Sequence, residues 1–136
     1  ALLDGIRGDE NWRKGDWQGF PQQDFEAVID LKKVTSVSEV GGGFLQDTRA
    51  WIVFPTKVVF ESSMDGKTWK PLASVSNTID AGDYTIQTKD FSAVTNKQKA
   101  RYIKVRAHNF GKLPEWHQAY PFDGYAYVFV DELWVR

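Results

Sequence analysis

The chain has 136 residues, a length that suits one domain, residues 1–136, with a single continuous core. Its 17 basic and 18 acidic side chains leave a net charge of −1, so no field of one sign draws it to nucleic acid or to anionic lipid. The absence of cysteine excludes disulfides and thiolate chemistry, and no apolar run is long enough to span a membrane as a helix.

The beginning of the chain is predicted to be an ordered loop followed by two strands. Residues 4–20, DGIRGDENWRKGDWQGF, mix glycines with acidic side chains and show no period. Residues 25–31, FEAVIDL, carry apolar side chains at every second position, which indicates a half-buried strand. Residues 34–40 predict a weaker strand that Gly41–Gly43 should end. The first residues do not resemble a signal peptide, so we expect a module cut from a longer protein.

The clearest local signal is a β-hairpin in residues 51–69. Val58 and Phe60 put apolar side chains on one face of a strand, with Lys and Glu among their neighbours. The Asp65-Gly66 pair tolerates the positive φ angles of a tight turn, so the chain is expected to reverse there. Residues 44–54 are then expected to form a loop that enters the first strand.

Strands and turns alternate over the rest of the chain. Further strand candidates are Leu72–Val75, Tyr84–Phe91, Arg101–Ala107 and Tyr125–Val135, with turns at Asn77–Asp83 and Thr95–Lys99. Residues 108–124 contain two prolines and four aromatic rings without a period, which predicts a long loop. No segment has helical periodicity. Short strands separated by turn signals predict an all-β fold, an antiparallel β-sandwich or barrel.

Acidic side chains in the opening loop and in the last strand are candidate metal ligands. Asp4, Asp9 and Asp16 lie among glycines, and Glu132 lies in the final strand. Calcium takes six to eight oxygen ligands, many of them backbone carbonyls from tight turns, and such a loop supplies both kinds. The alternative is that these residues form turns and carry solvated charges.

A second group of candidates is aromatic and polar, and it lies in predicted loops. A sugar ring has an apolar C–H face that stacks on an aromatic plane and a rim of hydroxyls that needs polar partners. Trp69 and Trp134 are assigned to packing, and packing is the alternative for every other tryptophan. The candidate carbohydrate-binding residues are Trp17, Gln18, Gln46, Asp47, Arg49, Trp51, Trp116 and His117.

Catalysis has little support in this sequence. Glycoside hydrolysis needs a pair of carboxyl groups with one held protonated in an apolar pocket, and no such pair is marked. His108 and His117 lack metal-ligand spacing, and the chain has no nucleophile elbow and no phosphate-binding loop.

Several short strings, taken in order, resemble a known family. They are Leu3-Asp4-Gly5, Val28-Ile29-Asp30-Leu31, the Ser62-Ser63 pair before Asp65-Gly66 and Trp69, Ala100–Val105 and Asp131-Glu132-Leu133. Together they are similar to the discoidin family, which includes coagulation factor V/VIII type C domains and family 32 carbohydrate-binding modules. The strings GDWQGF (residues 15–20), FLQD (44–47) and LPEWH (113–117) resemble the C-terminal module of bacterial chitobiases and β-N-acetylhexosaminidases.

The resemblance implies a jelly-roll β-sandwich, no catalysis by the module itself, and glycan binding by loops at one end. It also implies a structural calcium with Asp4 and Glu132 as side-chain ligands, main-chain oxygens from the opening loop, and Asp131 as a further candidate. The loop after Asp4 is longer than in the usual pattern, which leaves Asp9 and Asn11 as alternatives for the third ligand. Gln18, and Asp47 or Arg49, stand where some members place His and Arg, so the sugar preference of galactose-binding members does not carry over.

The sequence therefore predicts a monomeric, non-catalytic carbohydrate-binding module. It would direct an attached glycoside hydrolase, such as a chitobiase, to glycans that contain galactose or N-acetylhexosamine, in a secreted, periplasmic or cell-surface bacterial protein. Two alternatives are an adhesion-type discoidin domain that binds protein or lipid, and an architectural module packed on its own enzyme. An adhesion domain would display apolar side chains at its loop tips, whereas these tips mix Trp with Gln, Asp, Arg and His.

Overall fold

Six antiparallel strands make up the described part of the chain in the computed structural model. The structure describes residues 18–21, 24–114, 116–117 and 124–136, with the backbone alone at residues 18, 20 and 21. The strands are β1 (Gln18–Pro21), β2 (Phe25–Gln46), β3 (Lys57–Ser63), β4 (Lys70–Ser76), β5 (Gln87–Ala107) and β6 (Tyr127–Val135). They form one sheet in the order β1-β6-β2-β5-β3-β4. A single 3-10 turn, Thr48–Ala50, is the only helical element among the described residues, and none of them forms a helix able to cross a membrane.

Two β-bulges in the long strands fold this sheet into two layers. The pairing of β2 with β5 shifts register between Asp30 and Thr35, and again between Val37 and Glu39. Lys32 at φ 73° marks the first shift, and Asn96 and Lys97 at φ 52° and 56° mark the second. Because bulges bend strands and let them change layer, both long strands turn the same corner together. The predicted antiparallel β-sandwich is confirmed.

One apolar core fills the space between the two layers. Phe25, Ile29 and Ile103 come from one half of the long ladder, and Phe44 and Phe91 come from the other half. The Phe44 and Phe91 rings meet edge to face with centroids 5.3 Å apart, a favourable arrangement for aromatic pairs. The alternation seen in residues 25–31 thus places the expected side chains in the core.

The predicted hairpin is confirmed as the β3–β4 pair. Gly66 has φ 78°, the left-handed conformation for which glycine was expected there. The Asp65 carboxylate accepts backbone hydrogen bonds from Thr68 at 2.9 Å and Lys67 at 2.8 Å. These bonds, together with one from the Ser63 hydroxyl, lower the pKa of Asp65 because they favour its charged form.

Several expectations about strand limits are wrong. Residues 18–20 were expected in the opening loop and residues 44–46 in the loop before the hairpin, but they belong to β1 and β2. Gly41–Gly43 do not end a strand, because β2 runs through them to Gln46 and pairs with β5 and β6 on its two sides. Residues 95–99 are not a turn between strands but a bulge within β5. The strand predicted from Tyr84 begins only at Gln87. At Gly41–Gly43 and at residues 95–99 the ladder to a neighbouring strand overrides the local residue preference.

Gly41 keeps its place in β2 because an indole ring lies directly over it. A Cβ at this position would stand 2.4 Å from ring atoms of Trp134, so no larger residue fits without moving the ring. The Trp134 Nε1–H donates to the Glu39 carboxylate at 2.9 Å, which fixes the ring in this position. The assignment of Trp134 to packing is confirmed.

We expect Gly41→Ala to destabilise the fold by about 1–3 kcal/mol, because the new methyl group displaces the Trp134 ring and strains its hydrogen bond. Urea unfolding measures the loss. The control is Ser92→Ala, at the exposed residue that pairs with Gly41 across the ladder, where a change within about 0.5 kcal/mol is expected. Equal stability of the Gly41 variant and the parent would contradict the tight packing described here.

Candidate functional site

Two exposed aromatic rings meet at one end of the sandwich. Trp116 is 51% exposed and Tyr84 is 39% exposed, and their centroids lie 6.2 Å apart with an angle of 82° between the ring planes. The guanidinium carbon of Arg49 lies 5.3 Å from the centre of the Tyr84 ring, within the range of a cation–π contact. Three separate loops supply these side chains, so the corner they form exists only in the folded chain.

The strand ends bring these loops together. Thr56 donates a backbone hydrogen bond to His108 at 2.9 Å, and Val53 donates one to Tyr127 at 3.2 Å. Gln46 at the end of β2 pairs with Gln87 at the start of β5, three residues after Tyr84. The loops that follow β2, precede β5 and follow β5 therefore leave the sandwich at the same end.

Trp51 lies beneath the corner and is partly buried. Its ring is edge-on to that of His117, with centroids 6.4 Å apart, and the His117 ring is 5.9 Å from that of Trp116. Trp51 adopts φ 68°, which is unusual for a residue with a side chain and costs of order 1 kcal/mol. Its backbone N–H donates to Thr48 at 3.0 Å, and its carbonyl accepts from Tyr127 at 2.8 Å. These two bonds hold the strained turn in place.

Gln46 does not lie on the surface, so the prediction that it holds a sugar hydroxyl directly is wrong. Its side chain is completely buried, and its Nε2 donates to the carbonyl oxygens of Asp80 at 3.0 Å and Asp83 at 3.2 Å. Its Oε1 accepts the backbone N–H of Phe54 at 3.2 Å. A buried amide must satisfy its polar atoms within the protein, and here three backbone groups do so. Gln46 therefore supports the loops from beneath the surface.

His117 is also buried, with 2% of its surface exposed. The prediction that its ring contacts a sugar directly is wrong for the same reason. Its Nε2 lies 2.5 Å from the carbonyl oxygen of Thr48. The Thr48 hydroxyl in turn donates to the carbonyl of Ala81 at 2.9 Å. Thr48 therefore connects the loop of Trp116 with the loop of Tyr84.

The remaining candidates differ in position. Arg49 is exposed at the corner, whereas Asp47 is 7% exposed and pairs through its backbone with Ile52. Trp17 lies outside the described residues. At one end of β1, Pro21 pairs with Tyr127, whose backbone bonds to Trp51 and Val53. Gln18 lies three residues away along β1, and its backbone pairs with Val130. At about 3.3 Å per residue this places the Gln18 backbone roughly 10 Å from that end of the strand.

Tyr84 is the surface residue that the sequence prediction missed, because it was assigned to a strand. A usable signal precedes it: Asp80, Gly82 and Asp83 are turn residues. The Asp80 carboxylate accepts the N–H of Gly82 at 2.8 Å, and the Asp83 carboxylate accepts that of Thr85 at 3.0 Å, which lowers the pKa of Asp83. A turn that extends through Thr85 leaves Tyr84 in the loop, where it faces solvent.

The acidic candidates meet only in part. Asp131 is 2% exposed and Glu132 is 7% exposed. They occupy a bulge in β6, where the pairing with β2 shifts register between Gly42 and Phe44. Asp4 and Asp9 lie outside the described residues, and within the part of the chain that the structure describes no three acidic or histidine side chains form a metal cluster.

A cavity of about 390 Å³ lies at the opposite end of β3, away from these loops. Ser62, Ser63, Lys70 and Lys99 are among its lining residues, and it contains none of the sequence-predicted site residues. The aromatic corner, by contrast, brings together exposed rings and the predicted residues Arg49 and Trp116. We therefore treat the corner as the candidate site.

The sequence matches the family model of the F5/8 type C domain over residues 1–123. No curated protein sequence gives a significant match. Similar solved structures include the C-terminal domain of a chitobiase from Bacteroides fragilis, with 20% identity and a TM-score of 0.55 over 99% of this chain and 76% of that one. Another similar structure is family 32 carbohydrate-binding module 3 of a family 31 glycoside hydrolase from Clostridium perfringens. It has 17% identity and a TM-score of 0.54, covering 86% of this chain and 69% of that one.

A fragment of a chitobiase-like protein from Bacteroides thetaiotaomicron gives a TM-score of 0.55 at 17% identity, covering 83% of this chain. This chain spans 60% of that fragment and 20% of a further similar structure, a glycoside hydrolase. At these identities the similarity shows a shared fold. The fold of this chain is that of discoidin and family 32 carbohydrate-binding modules.

Proposed function

Because the chain belongs to the F5/8 type C domain family, we propose that it is a non-catalytic carbohydrate-binding module. It directs an attached glycoside hydrolase to glycans that contain galactose or N-acetylhexosamine. The observation that carries the proposal is the exposed corner of Tyr84 and Trp116 at the loop end of the sandwich. An aromatic face is what the apolar side of a sugar ring needs, and rings left in water by a folded domain are otherwise a cost.

The corner suits one sugar unit and a weak interaction. Two rings at 82° give a flat wall and a second wall beside it, and Arg49 adds hydrogen-bond donors at the edge. A shallow site of this kind binds with a dissociation constant on the order of millimolar, worth about 4 kcal/mol. Its use is to raise the local concentration of the attached enzyme at its substrate, which needs no second copy of the module. We propose a monomer.

The names of similar structures support the attachment to an enzyme. A chitobiase and a family 31 glycoside hydrolase each contain a domain of this fold. An enzyme that acts on large glycans works outside the cytoplasm, so we propose a secreted, periplasmic or cell-surface bacterial location. An adhesion-type domain is disfavoured because the corner combines its two exposed rings with the cationic side chain of Arg49, which lies over the Tyr84 ring.

We also propose a structural calcium site formed by Asp4, Asp9 and Glu132, with Asp131 beside them. Two buried carboxylates in one bulge fit a hard cation, because oxygen is the ligand that calcium prefers. The opening segment enters the sheet at Gln18, which pairs with Val130, next to Asp131. Calcium would join that segment to the last strand by supplying positive charge between their oxygens.

The sugar site predicts that Trp116→Ala weakens glycan binding at least about tenfold, because loss of the stacking surface costs more than about 1.4 kcal/mol of binding free energy. The free energy of unfolding should change by less than about 1 kcal/mol, since half of this ring is already in water. Titration with galactose and N-acetylhexosamine oligosaccharides measures the first effect, and thermal unfolding measures the second.

The matched control for this experiment is Trp69→Ala. Trp69 is partly buried beneath Lys104, whose Nζ lies 4.3 Å from the ring centre, near the opposite end of the sandwich. Its loss should lower stability and leave glycan affinity unchanged. Wild-type affinity in the Trp116 variant would show that the corner is not the binding surface.

The metal site predicts that millimolar calcium raises the melting temperature and that a chelator reverses the increase, because calcium binds the folded state alone. Glu132→Gln and Asp4→Ala should abolish the response. Asp90→Asn removes the same charge from an exposed position of β5 and should leave the response intact. A calcium response that persists in the Glu132 and Asp4 variants would place the ion elsewhere.

A further inference from the structure

Resting on the proposed function, we infer that Gln46 is a positioning residue for the glycan: it touches no ligand but fixes the loop that presents Tyr84. Gln46 is fully buried at the end of β2, a strand held on both sides by neighbours. The loop of residues 77–86 lies above it and carries one wall of the corner. The position of that wall therefore depends on what ties the loop to the strand.

The amide of Gln46 clamps this loop at two points. Nε2 donates to the carbonyl oxygen of Asp80 at 3.0 Å and to that of Asp83 at 3.2 Å, so one NH₂ group uses both of its hydrogens on the same turn. Asp83 precedes Tyr84 directly, and consecutive Cα atoms are about 3.8 Å apart. A shift of the clamped carbonyl moves the Tyr84 ring with it.

The same amide also holds the segment between β2 and β3. Oε1 accepts the backbone N–H of Phe54 at 3.2 Å, and Phe54 is completely buried. Thr48 adds a second tie, because its hydroxyl donates to the Ala81 carbonyl at 2.9 Å while its own carbonyl lies 2.5 Å from Nε2 of His117, the neighbour of Trp116. The loops that carry the two rings of the corner are thus both hydrogen-bonded to one short segment, residues 46–48.

Only a side chain with two donors and one acceptor at this length makes all three bonds of Gln46. Glutamate has the same shape, but its ionised carboxylate donates nothing and would face two carbonyl oxygens. Its protonated form regains one donor and keeps one acceptor. Burial raises the pKa of such a carboxyl above its usual value near 4.3, so the neutral form is restored at mildly acidic pH.

The test is the Gln46→Glu variant, compared with the wild-type chain at about pH 7.5 and about pH 5. We expect its glycan affinity to be about tenfold lower than wild type at the higher pH, because the Tyr84 loop must be ordered on binding. The ratio of the two affinities should approach one at the lower pH. The variant's free energy of unfolding should change in the same direction. It should be greatest below the pKa that the new carboxyl has in the unfolded chain, and it should fall as pH rises through the pKa of that carboxyl in the folded chain.

Hydrogen exchange at residues 80–84 gives a readout that does not need the glycan. Faster exchange there in Q46E at about pH 7.5, with protection restored at about pH 5, is the expected result. Unchanged exchange, or affinity equal to wild type at both pH values, would overturn the role of Gln46. The control Gln98→Glu, at an exposed position of β5, should show no pH-dependent change in the affinity ratio.

Gln46→Met provides a second variant that keeps the length of the side chain and removes the three bonds of its amide. It contains no new charge, so it tests the clamp even if Q46E unfolds at neutral pH. Weaker glycan binding with faster exchange at residues 80–84 supports the inference, and wild-type behaviour in both measurements overturns it. Thr48→Val, which removes the hydroxyl bonded to Ala81, tests the second tie by the same two measurements. A wild-type chain that binds no galactose or N-acetylhexosamine glycan would overturn the proposed function, whereas the exchange data would still decide whether Gln46 and Thr48 fix the loop.

Discussion

The ladder between β2 and β5 is the interaction on which the rest of the structure depends. Among the described strands, β6 joins the sheet through β2 and carries β1, while β3 joins through β5 and carries β4. Because both long strands pass through the corner between the layers, the same backbone hydrogen bonds that make the sheet also fix how its halves face each other. Bulges are tolerated at that corner because each strand resumes its pairing beyond them.

This ladder also delivers the candidate site. β2 ends at Gln46 and β5 begins at Gln87, directly across from it, so the loops between them start from a rigid base. Short turns then follow: the 3-10 turn of Thr48–Ala50 and the aspartate turns around Gly82. Each turn is closed by its own hydrogen bonds, and the buried amide of Gln46 joins one to the other. The loop that displays Tyr84 is thus tied to the end of β2 by buried hydrogen bonds.

The sequence allowed prediction of the parts of the fold that depend on local pattern. The alternation of residues 25–31 and the Asp65-Gly66 turn are confirmed, because side-chain period and positive φ are properties of a few adjacent residues. Gly41 was misjudged because its reason for being glycine is the Trp134 ring, which lies far away in the chain. Such a contact between distant positions leaves no trace in a window of neighbouring residues.

The candidate site shows the same division between what a local pattern predicts and what contacts between distant residues decide. A polar residue in a predicted loop was expected to face water, yet Gln46 and His117 are buried because the loops fold back over the strand ends. Exposed side chains such as Arg49 and Trp116 can change at a cost within about 1 kcal/mol of stability, while a buried amide left without its partners costs about 1–3 kcal/mol. The exposed side chains of this surface can therefore vary at little cost, whereas Gln46 is constrained by folding. Resemblance to a family consequently transfers the scaffold more readily than the sugar it recognises.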